Sequence, residues 1–269
     1  MDHRSIGVFD SGLGGLTALR ELSALLPNEH FIYFGDTARV PYGTRSRETI
    51  INYARQDVNF LRSFDLKAIL IACGTVSTTA METLKAEFTV PLFGVVDPAV
   101  EQAVAASKTG RIGLIGTPAT VGSGAFERAI LAQNPSATVT SQACPIFVPL
   151  VENGRYEPSD KVVELVVAEY LAPLKAAEVD TLVLGCTHYP LLTEAIAAYM
   201  GEGVTLVNTG AAAAQALAQF LTANDQLAPA DQQGRRRFHV SDSPDGFERL
   251  ASIFLRTDLC GEVTQVTVG

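Results

Sequence analysis

Short apolar runs alternate with amphipathic stretches along this chain, and this alternation limits the fold more than any other feature. The apolar runs predict buried strands at 6–9, 31–34, 68–72, 92–96, 111–115, 138–142, 181–184, 205–207 and 237–240. The amphipathic stretches predict helices at 16–26, 50–64, 78–88, 99–107, 124–133, 161–176, 189–200, 211–221 and 246–255. Strands and helices that alternate in this way predict an α/β fold, in which helices cover both faces of a parallel sheet.

Composition and charge further restrict the class of protein and its partners. The chain has 269 residues, 47% of them hydrophobic and 18% charged, which suits a large core in one or two domains. A formal net charge of -9 argues against nucleic acid or an anionic membrane as a partner. The basic run 235–237 is too short to change this, and we interpret it as a solvated strand edge or loop. No apolar run reaches the length of a membrane span.

Four cysteines stand at positions 73, 144, 186 and 260, too far apart for a zinc ribbon or a redox CxxC pair. The first residues do not have the pattern of a signal peptide, so we expect a reducing cytoplasm and free thiols. Cys144 and Cys260 are interpreted as packing residues, because cysteine is among the most buried residue types.

Two pairs of segments resemble each other in the same order. Residues 6–12 (IGVFDSG) resemble 112–118 (IGLIGTP), and residues 68–75 (AILIACGT) resemble 181–187 (TLVLGCT). Either similarity alone is explained by chance between two strands. Both together favour a duplicated unit with Cys73 and Cys186 at equivalent strand ends.

Polar residues follow several predicted strands, where open parallel sheets bind their ligands. Cys73 and Cys186 each stand between small residues and the start of a helix. We therefore expect partly exposed thiols whose pKa lies below the free value of about 8.5. His188 follows Cys186 by two residues, and solvation of a helix start is its alternative role. Asp10 precedes Ser11-Gly12, and its alternative role is a helix cap.

Two thiols on opposite sides of one pocket can invert a carbon centre. One thiolate removes a proton from the carbon and the other thiol returns a proton to the opposite face. Asp10 is placed to assist Cys73, and His188 to assist Cys186. Hydroxyl groups are placed to stabilise the developing charge at Ser11, Thr75, Thr117 and Thr187.

The glycine-rich segment 11–16 (SGLGGL) fails the dinucleotide pattern, since its third required position is Thr17, and the chain has no P-loop ending. We expect these glycines to let the backbone approach a small ligand. The site segments contain no lysine for a Schiff base, so no pyridoxal phosphate or other cofactor, and no metal, is expected.

Five segments together are similar to the glutamate racemases of the aspartate/glutamate racemase superfamily. They are 7–15 (GVFDSGLGG), 33–43 (YFGDTARVPYG), 113–118 (GLIGTP), 149–154 (PLVENG) and 184–190 (LGCTHYP). They extend from the first strand past residue 190, so the resemblance covers nearly the whole chain.

The resemblance implies two similar α/β domains, 1–97 with 208–269 and 98–207, with the site in the cleft between them. It implies cofactor-independent racemisation of glutamate in the cytoplasm, supplying D-glutamate for peptidoglycan, by a homodimer. Cys73 and Cys186 match the two catalytic bases, assisted by Asp10 and by His188 with Glu152. Residues that match substrate contacts are Asp10, Ser11, Pro41, Tyr42, Gly43, Gly74, Thr75, Thr117, Thr187 and His188.

Gly74 is a departure, because the family usually has asparagine immediately after the first cysteine. Glycine removes the side-chain donors, and we expect it to leave a backbone N–H and room for water. Three alternatives stay open: a racemase for another acidic amino acid, a cysteine hydrolase built on Cys186 and His188, and a non-catalytic amino-acid-binding or inhibitory relative. The hydrolase leaves Cys73 without a role, and the intact thiols argue against the non-catalytic relative.

Overall fold

The computed structural model describes residues 1–245, 247–259 and 262–269. The strands are β1 Ser5–Asp10, β2 Phe31–Gly35, β3 Leu66–Ile71, β4 Leu92–Phe93, β5 Arg111–Gly116, β6 Thr138–Ala143, β7 Thr181–Leu184, β8 Thr205–Asn208, β9 Arg236–Val240 and β10 Val263–Gln265. The helices are α1 Leu16–Leu25, α2 Arg47–Leu61, α3 Gly74–Thr79, α4 Met81–Glu87, α5 Val96–Ala106, α6 Pro118–Gly122, α7 Ala125–Gln133, α8 Phe147–Glu152, α9 Lys161–Ala176, α10 Thr193–Met200, α11 Thr209–Ala223 and α12 Phe247–Leu255. Short 3-10 turns occupy Thr37–Arg39, Tyr42–Thr44 and Tyr189–Leu192. The predicted α/β fold is confirmed.

The strands form two separate sheets. The first has the order β10-β9-β2-β1-β3-β4 and the second the order β6-β5-β7-β8. Every strand pairing among the described residues is parallel. Val8 of β1 lies opposite Tyr33 and Leu70, and Leu114 of β5 lies opposite Ser141 and Val183. The first four strands of the chain and the next four therefore share one arrangement, with each opening strand between the two that follow it.

Helices bury both faces of the first sheet, as the continuous apolar runs in β1 and β3 require. Ile6 and Val8 of β1 point into the core that α1 shares, while Phe9 points into the core beneath α2. This alternation follows from the two-residue period of a strand. The strand ends are consequently held by packing on both sides, and the loops that follow them start from fixed positions.

The tail of the chain returns to the first sheet. Strand β9 pairs with β2, β10 extends the sheet, and α12 packs against α1. Residues Arg236 and Arg237 lie in β9, which has a neighbour on each side, so the predicted strand edge is wrong, although Arg235 and Arg237 are exposed. Strand β10 was not predicted. Gly246, the predicted start of the last helix, and Cys260 lie outside the described residues.

A buried lysine ties the returning tail to the amino ends of the first sheet. The Nζ of Lys67 lies 2.6 Å from Glu29 and donates to the carbonyl oxygens of Asp2 (3.0 Å) and Gln226 (2.7 Å). Glu29 in turn accepts the N–H of Ala228 at 2.8 Å. A buried charge is tolerated when it is paired and hydrogen-bonded in this way, so this cluster joins three distant parts of the chain.

The structure corrects two predicted elements near the first cysteine. The predicted helix 78–88 is two helices, α3 and α4, which meet at Ala80. Hydroxyl groups compete for the backbone here, since Thr78 donates to Gly74 and Ser77 donates to the carbonyl of Ile71. The predicted strand 92–96 ends at Phe93, because α5 begins at Val96.

Further along, helices α6 and α8 were not predicted, and the predicted helix 189–200 begins as a 3-10 turn. No helix of the described residues is both long enough and apolar enough to cross a membrane.

Candidate active site

The carboxyl ends of both sheets face a cavity of 370 Å³. Every site residue predicted from the sequence lines it except Asp10, which lies behind the wall. The lining residues among those predicted are Ser11, Pro41, Tyr42, Gly43, Cys73, Gly74, Thr75, Thr117, Glu152, Cys186, Thr187 and His188. The sequence did not predict the apolar part of the wall, which includes Val148 and Pro149 of α8. Residues from both sheets thus surround a space suited to a small molecule.

Cys73 follows β3 and belongs to the first sheet. Its thiol donates to Ser11 Oγ at 3.4 Å, and the residue is only 5% exposed. Burial, followed by the nearby charge of Asp10, raises the pKa of Cys73 to about 12. The prediction of a partly exposed thiol with a lowered pKa is therefore wrong for Cys73. Loss of hydration outweighs the hydrogen bonds from Ser11 and Val76 that favour the thiolate.

The alkylation of Cys73 in the ligand-free protein should depend steeply on pH. With a pKa of about 12, the thiolate fraction rises roughly tenfold per pH unit throughout the range from pH 7 to 10. Iodoacetamide labelling followed by peptide mass spectrometry should show this continuous rise. Free cysteine, the control, levels off once pH exceeds its ordinary pKa of about 8.5. A plateau for Cys73 near pH 9 would contradict the burial argument.

Cys186 follows β7 and begins a chain of three polar side chains. Its Sγ lies 3.9 Å from His188 Nδ1, and His188 Nε2 lies 3.0 Å from Glu152 Oε1. Burial lowers the pKa of His188, but the contacts with Cys186 and Glu152 outweigh it and raise this pKa to about 10. A protonated His188 therefore places an acid–base group beside the sulfur of Cys186. Cys186 is 8% exposed, so the predicted partial exposure is wrong here too.

Glu152 and His188 differ in their surroundings. Glu152 is the last residue of α8, and its side chain is 40% exposed. The His188 ring packs edge-on against Phe254 of α12 at a centroid distance of 5.1 Å. Phe254, which does not line the cavity, therefore supports the histidine ring by packing.

Asp10 is buried at the end of β1. Its carboxylate accepts the N–H of Gly12 at 3.0 Å and the hydroxyl of Thr187 at 3.5 Å. Burial raises its pKa, although His188 and these hydrogen bonds oppose the rise. The direct partner of the Cys73 thiol is Ser11, so Asp10 acts on Cys73 by charge rather than by a hydrogen bond. Asp10 does not cap α1, whose N-cap is Gly15 without a side-chain hydrogen bond, so the alternative role that the sequence left open is wrong.

Hydroxyl groups from the two sheets meet at the cavity wall. Thr75 and Thr117 lie 3.0 Å apart between their Oγ1 atoms, and Thr117 also donates to Thr120 at 3.0 Å. A Cβ added to Gly43 would lie 2.9 Å from the Cβ of Thr117, so the loop 36–44 also touches the second sheet here. These hydroxyls can donate to a bound carboxylate from both sides of the cleft.

The hydroxyl of Tyr42 turns away from the cavity. It donates to Asp57 at 2.9 Å and also contacts Asp36, and both carboxylates pair with Arg39 at 2.5 and 2.6 Å. Tyr42 therefore lines the cavity without offering its hydroxyl to a ligand. The sequence did not predict Asp57 or Arg39. The sequence signal that could have revealed Asp57 is its place in the apolar stripe of α2, between Ala54 and Leu61.

The glycines of the segment 11–16 mostly approach protein atoms. Gly12 lines the cavity, as expected. A Cβ on Gly14 would lie 2.1 Å from Thr187 Oγ1, and one on Gly15 would lie 2.4 Å from the Cβ of Asp10. The expectation that these glycines serve close approach to a ligand is therefore wrong for Gly14 and Gly15. Gly14 leaves room for the residues that follow Cys186, and Gly15 leaves room for Asp10.

Gly74 also contacts protein. The Cβ that a larger residue would add lies 2.3 Å from the carbonyl oxygen of Gly185. The position of a side chain is therefore occupied by the loop that carries Cys186, whereas Gly74 still lines the cavity, so the expected room for water stays a prediction. Among the described residues, no group of three or more His, Cys, Asp or Glu side chains is arranged to hold a metal ion.

Two parallel sheets that each bring a thiol to one small cavity define an α/β protein with a paired-cysteine site. Such a site can take a proton from one side of a bound molecule and give one from the other. The chain belongs to the Asp/Glu/Hydantoin racemase family, whose model matches residues 7–217.

Individual relatives match over nearly the full length. A glutamate racemase of Geobacter metallireducens is 45% identical over 268 residues, which cover 100% of this chain and 98% of that protein. The crystal structure of a glutamate racemase from Francisella tularensis in complex with D-glutamate superimposes with a TM-score of 0.91 at 38% identity, covering 99% and 98% of the two chains. Glutamate racemase isoform RacE1 from Bacillus anthracis gives a TM-score of 0.94 at 36% identity, covering 100% of both chains.

Proposed function

We propose that this chain interconverts L- and D-glutamate by proton transfer between two thiols, without a cofactor. The observation that carries the proposal is the pair Cys73 and Cys186, which line one cavity from different sheets. The relatives described above are named glutamate racemases, and one is recorded with D-glutamate bound. No lysine lines the cavity in the described part of the chain, so a pyridoxal phosphate Schiff base has no partner there.

In one direction, a cysteine thiolate removes the α-proton of glutamate and becomes a thiol. The electron pair left on the α-carbon is delocalised into the carboxylate. The thiol of the other cysteine then protonates the opposite face of the α-carbon and becomes the thiolate. The centre is inverted, and the protonation states of the two cysteines are exchanged, so the reverse reaction can follow directly.

The ligand-free site holds one thiol acid, and it holds an acid–base partner beside the second thiol. Burial and Asp10 keep Cys73 protonated at neutral pH, while a protonated His188 lies beside Cys186. The reaction through Cys73 as base requires a bound substrate that offsets the charge of Asp10, and the ammonium group of an amino acid supplies that charge. Asp10, His188 and Glu152 thus tune the two thiols.

The remaining lining residues serve binding. When substrate binds, the hydroxyls of Ser11, Thr75, Thr117 and Thr187 turn from their partners in the ligand-free site and donate to the substrate carboxylates, where negative charge develops in the transition state. Residues 41–43 and Gly74 line the rest of the wall. The cavity, 370 Å³ in volume, is of a size for a small ligand.

The same proposal includes the biological setting. The two sheets support a division into two domains, 1–97 with 208–269 and 98–207, in which the first boundary falls within the opening turn of α5. The described cysteines 73, 144 and 186 are free thiols, which suits the cytoplasm. We further propose a homodimer that supplies D-glutamate for peptidoglycan.

Incubation of the dialysed protein with L-glutamate in deuterium oxide tests this function. We expect loss of circular dichroism as D-glutamate forms, together with deuterium at the α-carbon of the product. L-Aspartate is the matched control, and faster exchange with aspartate would identify another acidic amino acid as the substrate. Binding of glutamate without exchange would instead favour a non-catalytic relative. A covalent acyl adduct on Cys186, seen by mass spectrometry with ester substrates, would favour a hydrolase.

A further inference from the structure

The hydroxyl of Thr17 connects the two halves of the molecule beside the second cysteine. Thr17 lies in the first turn of α1, in the half built on the first sheet, and is only 1% exposed. Its Oγ1 lies 2.8 Å from the carbonyl oxygen of Gly14 and 3.0 Å from the carbonyl oxygen of Thr187. A hydroxyl carries one hydrogen, so this single donor is shared between the two carbonyls. Thr17 therefore holds together one carbonyl from each half.

The loop 185–188, which carries the second cysteine and its histidine, is anchored at its two ends within its own half. At the first end, the N–H of Gly185 donates to the carbonyl of Ile115 in β5 at 2.7 Å. Just past the other end, the hydroxyl of Tyr189 donates to the carbonyl of Cys144 at 2.9 Å. These bonds fix where the loop begins and ends, but they do not reach its middle.

The middle of the loop is held by the first half. Among the hydrogen bonds of the described residues, Thr17 is the sole donor to the carbonyl of Thr187. The hydroxyl of Thr187 lies 3.5 Å from Asp10, which is longer than an ordinary O–H···O bond. The loop also lies directly on Gly14, since a Cβ there would be 2.1 Å from Thr187 Oγ1 and 2.6 Å from His188 Nδ1. The bond from Thr17 is thus the shorter of the two that tie the middle of the loop across the gap.

The peptide that Thr17 holds lies between the two functional groups of the loop. Residue 187 separates Cys186 from His188, whose Sγ and Nδ1 atoms lie 3.9 Å apart. A rotation of this peptide therefore moves both groups relative to each other and to Cys73. Thr17 itself does not line the cavity, so it has no direct contact with a ligand there. A buried carbonyl that loses its donor is costly, so the peptide should turn if the Thr17 hydroxyl is removed.

We propose that Thr17 is a positioning residue that holds the loop 185–188 against the first half, so that Cys186 and His188 face the same ligand as Cys73. This inference rests on the proposed function and adds to it a residue outside the cavity. Removal of the hydroxyl should lower kcat more than it changes KM, because proton transfer depends more steeply on position than binding does. Serine should replace Thr17, whereas valine, which has the same shape without the hydroxyl, should not.

The test compares wild type with Thr17→Val, Thr17→Ala and Thr17→Ser. Thr222→Val is the matched control, because Thr222 also donates its hydroxyl to a backbone carbonyl, that of Ala218 at 2.8 Å, but does so within α11 and away from the cavity. Racemisation of L-glutamate is followed by circular dichroism to give kcat and KM. In parallel, iodoacetamide labelling of Cys73, Cys144 and Cys186 is measured by peptide mass spectrometry without substrate.

We expect Thr17→Val and Thr17→Ala to lower kcat by about 10- to 10²-fold, since a misplacement of about 1 Å in an active site lowers turnover by on the order of 10²-fold. Labelling of Cys186 should gain more than labelling of Cys73, and Cys144, which is fully buried in the core, should be unchanged. Thr17→Ser should recover most of kcat and the labelling pattern of wild type. Thr222→Val should match wild type in every measurement.

Wild-type kcat in Thr17→Val would overturn the inference, and so would a change confined to KM or a failure of Thr17→Ser to recover turnover. Labelling that does not rise at Cys186, or that rises there no more than at the other two cysteines, would also overturn it. A hydroxyl-free variant that does not fold would make Thr17 a structural residue rather than a positioning one. If wild type does not racemise glutamate, the proposed function fails, and the labelling experiment still decides whether Thr17 holds the loop.

Discussion

Alanine in place of either Cys73 or Cys186 is expected to lower glutamate racemisation by about 10⁴-fold or more, because inversion needs an acceptor and a donor on opposite faces. The two cysteines come from different sheets, and neither lies where it can replace the other. The double variant should be hardly slower than either single variant, since residues that act as a unit are not additive. The rate of D-glutamate formation measures this directly.

Cys144→Ala is the control for these variants. Cys144 is fully buried in the core and does not line the cavity. Its backbone carbonyl accepts the hydroxyl of Tyr189, and alanine keeps that carbonyl. Its replacement should lower stability by about 1 kcal/mol and leave turnover intact. If Cys73→Ala or Cys186→Ala kept near-normal turnover, the two-thiol mechanism would have to be abandoned.

Asparagine in place of His188 should lower kcat by about 10²- to 10⁴-fold, the usual contribution of a positioned acid–base group. Asparagine keeps a polar side chain in the same place but can neither carry a positive charge nor exchange a proton with Cys186. Circular dichroism of the folded variant separates this loss from unfolding, because His188 also packs against Phe254. A variant that folds normally and retains full turnover would exclude His188 from the acid–base chemistry.

Glu152→Gln should have a smaller effect with a distinct pH signature. Glu152 helps to raise the pKa of His188 to about 10, so removal of its charge lowers that pKa. The protonated histidine is then lost at lower pH, and the alkaline fall in kcat/KM should move to lower pH than in wild type. The exposed position of Glu152 limits the size of this shift through solvent screening. An alkaline limb that does not move would show that His188 is not the group responsible.

The sequence was sufficient for the fold where the hydrophobic pattern is strong. The strands around Val8, Leu70, Leu114 and Val183 are continuous apolar runs, and such runs predict buried parallel strands. Strand β10 has only three residues, mostly exposed, so it carries no such signal. Helix α8 has six residues and contains Pro149, which disfavours a helix prediction.

The sequence also located the candidate site, because the carboxyl ends of neighbouring parallel strands meet at one edge. It did not predict the environment of that site. The pKa of Cys73 depends on its burial in the folded protein and on the charge of Asp10, and both arise from tertiary structure. The contact between Gly74 and Gly185 joins positions more than a hundred residues apart in sequence, and no local pattern reports it.

The common strand order of the two sheets suits a reaction that runs in both directions between two mirror-image molecules. L- and D-glutamate have equal free energies in water, so neither direction of their exchange is favoured by the substrate itself. Each sheet presents a sulfur after its third strand, β3 in one half and β7 in the other, and so repeats one design on either side of the ligand. In the proposed mechanism, handedness is thus met by using the same local architecture twice, and the unequal neighbours Asp10 and His188 would adapt each copy to its own enantiomer.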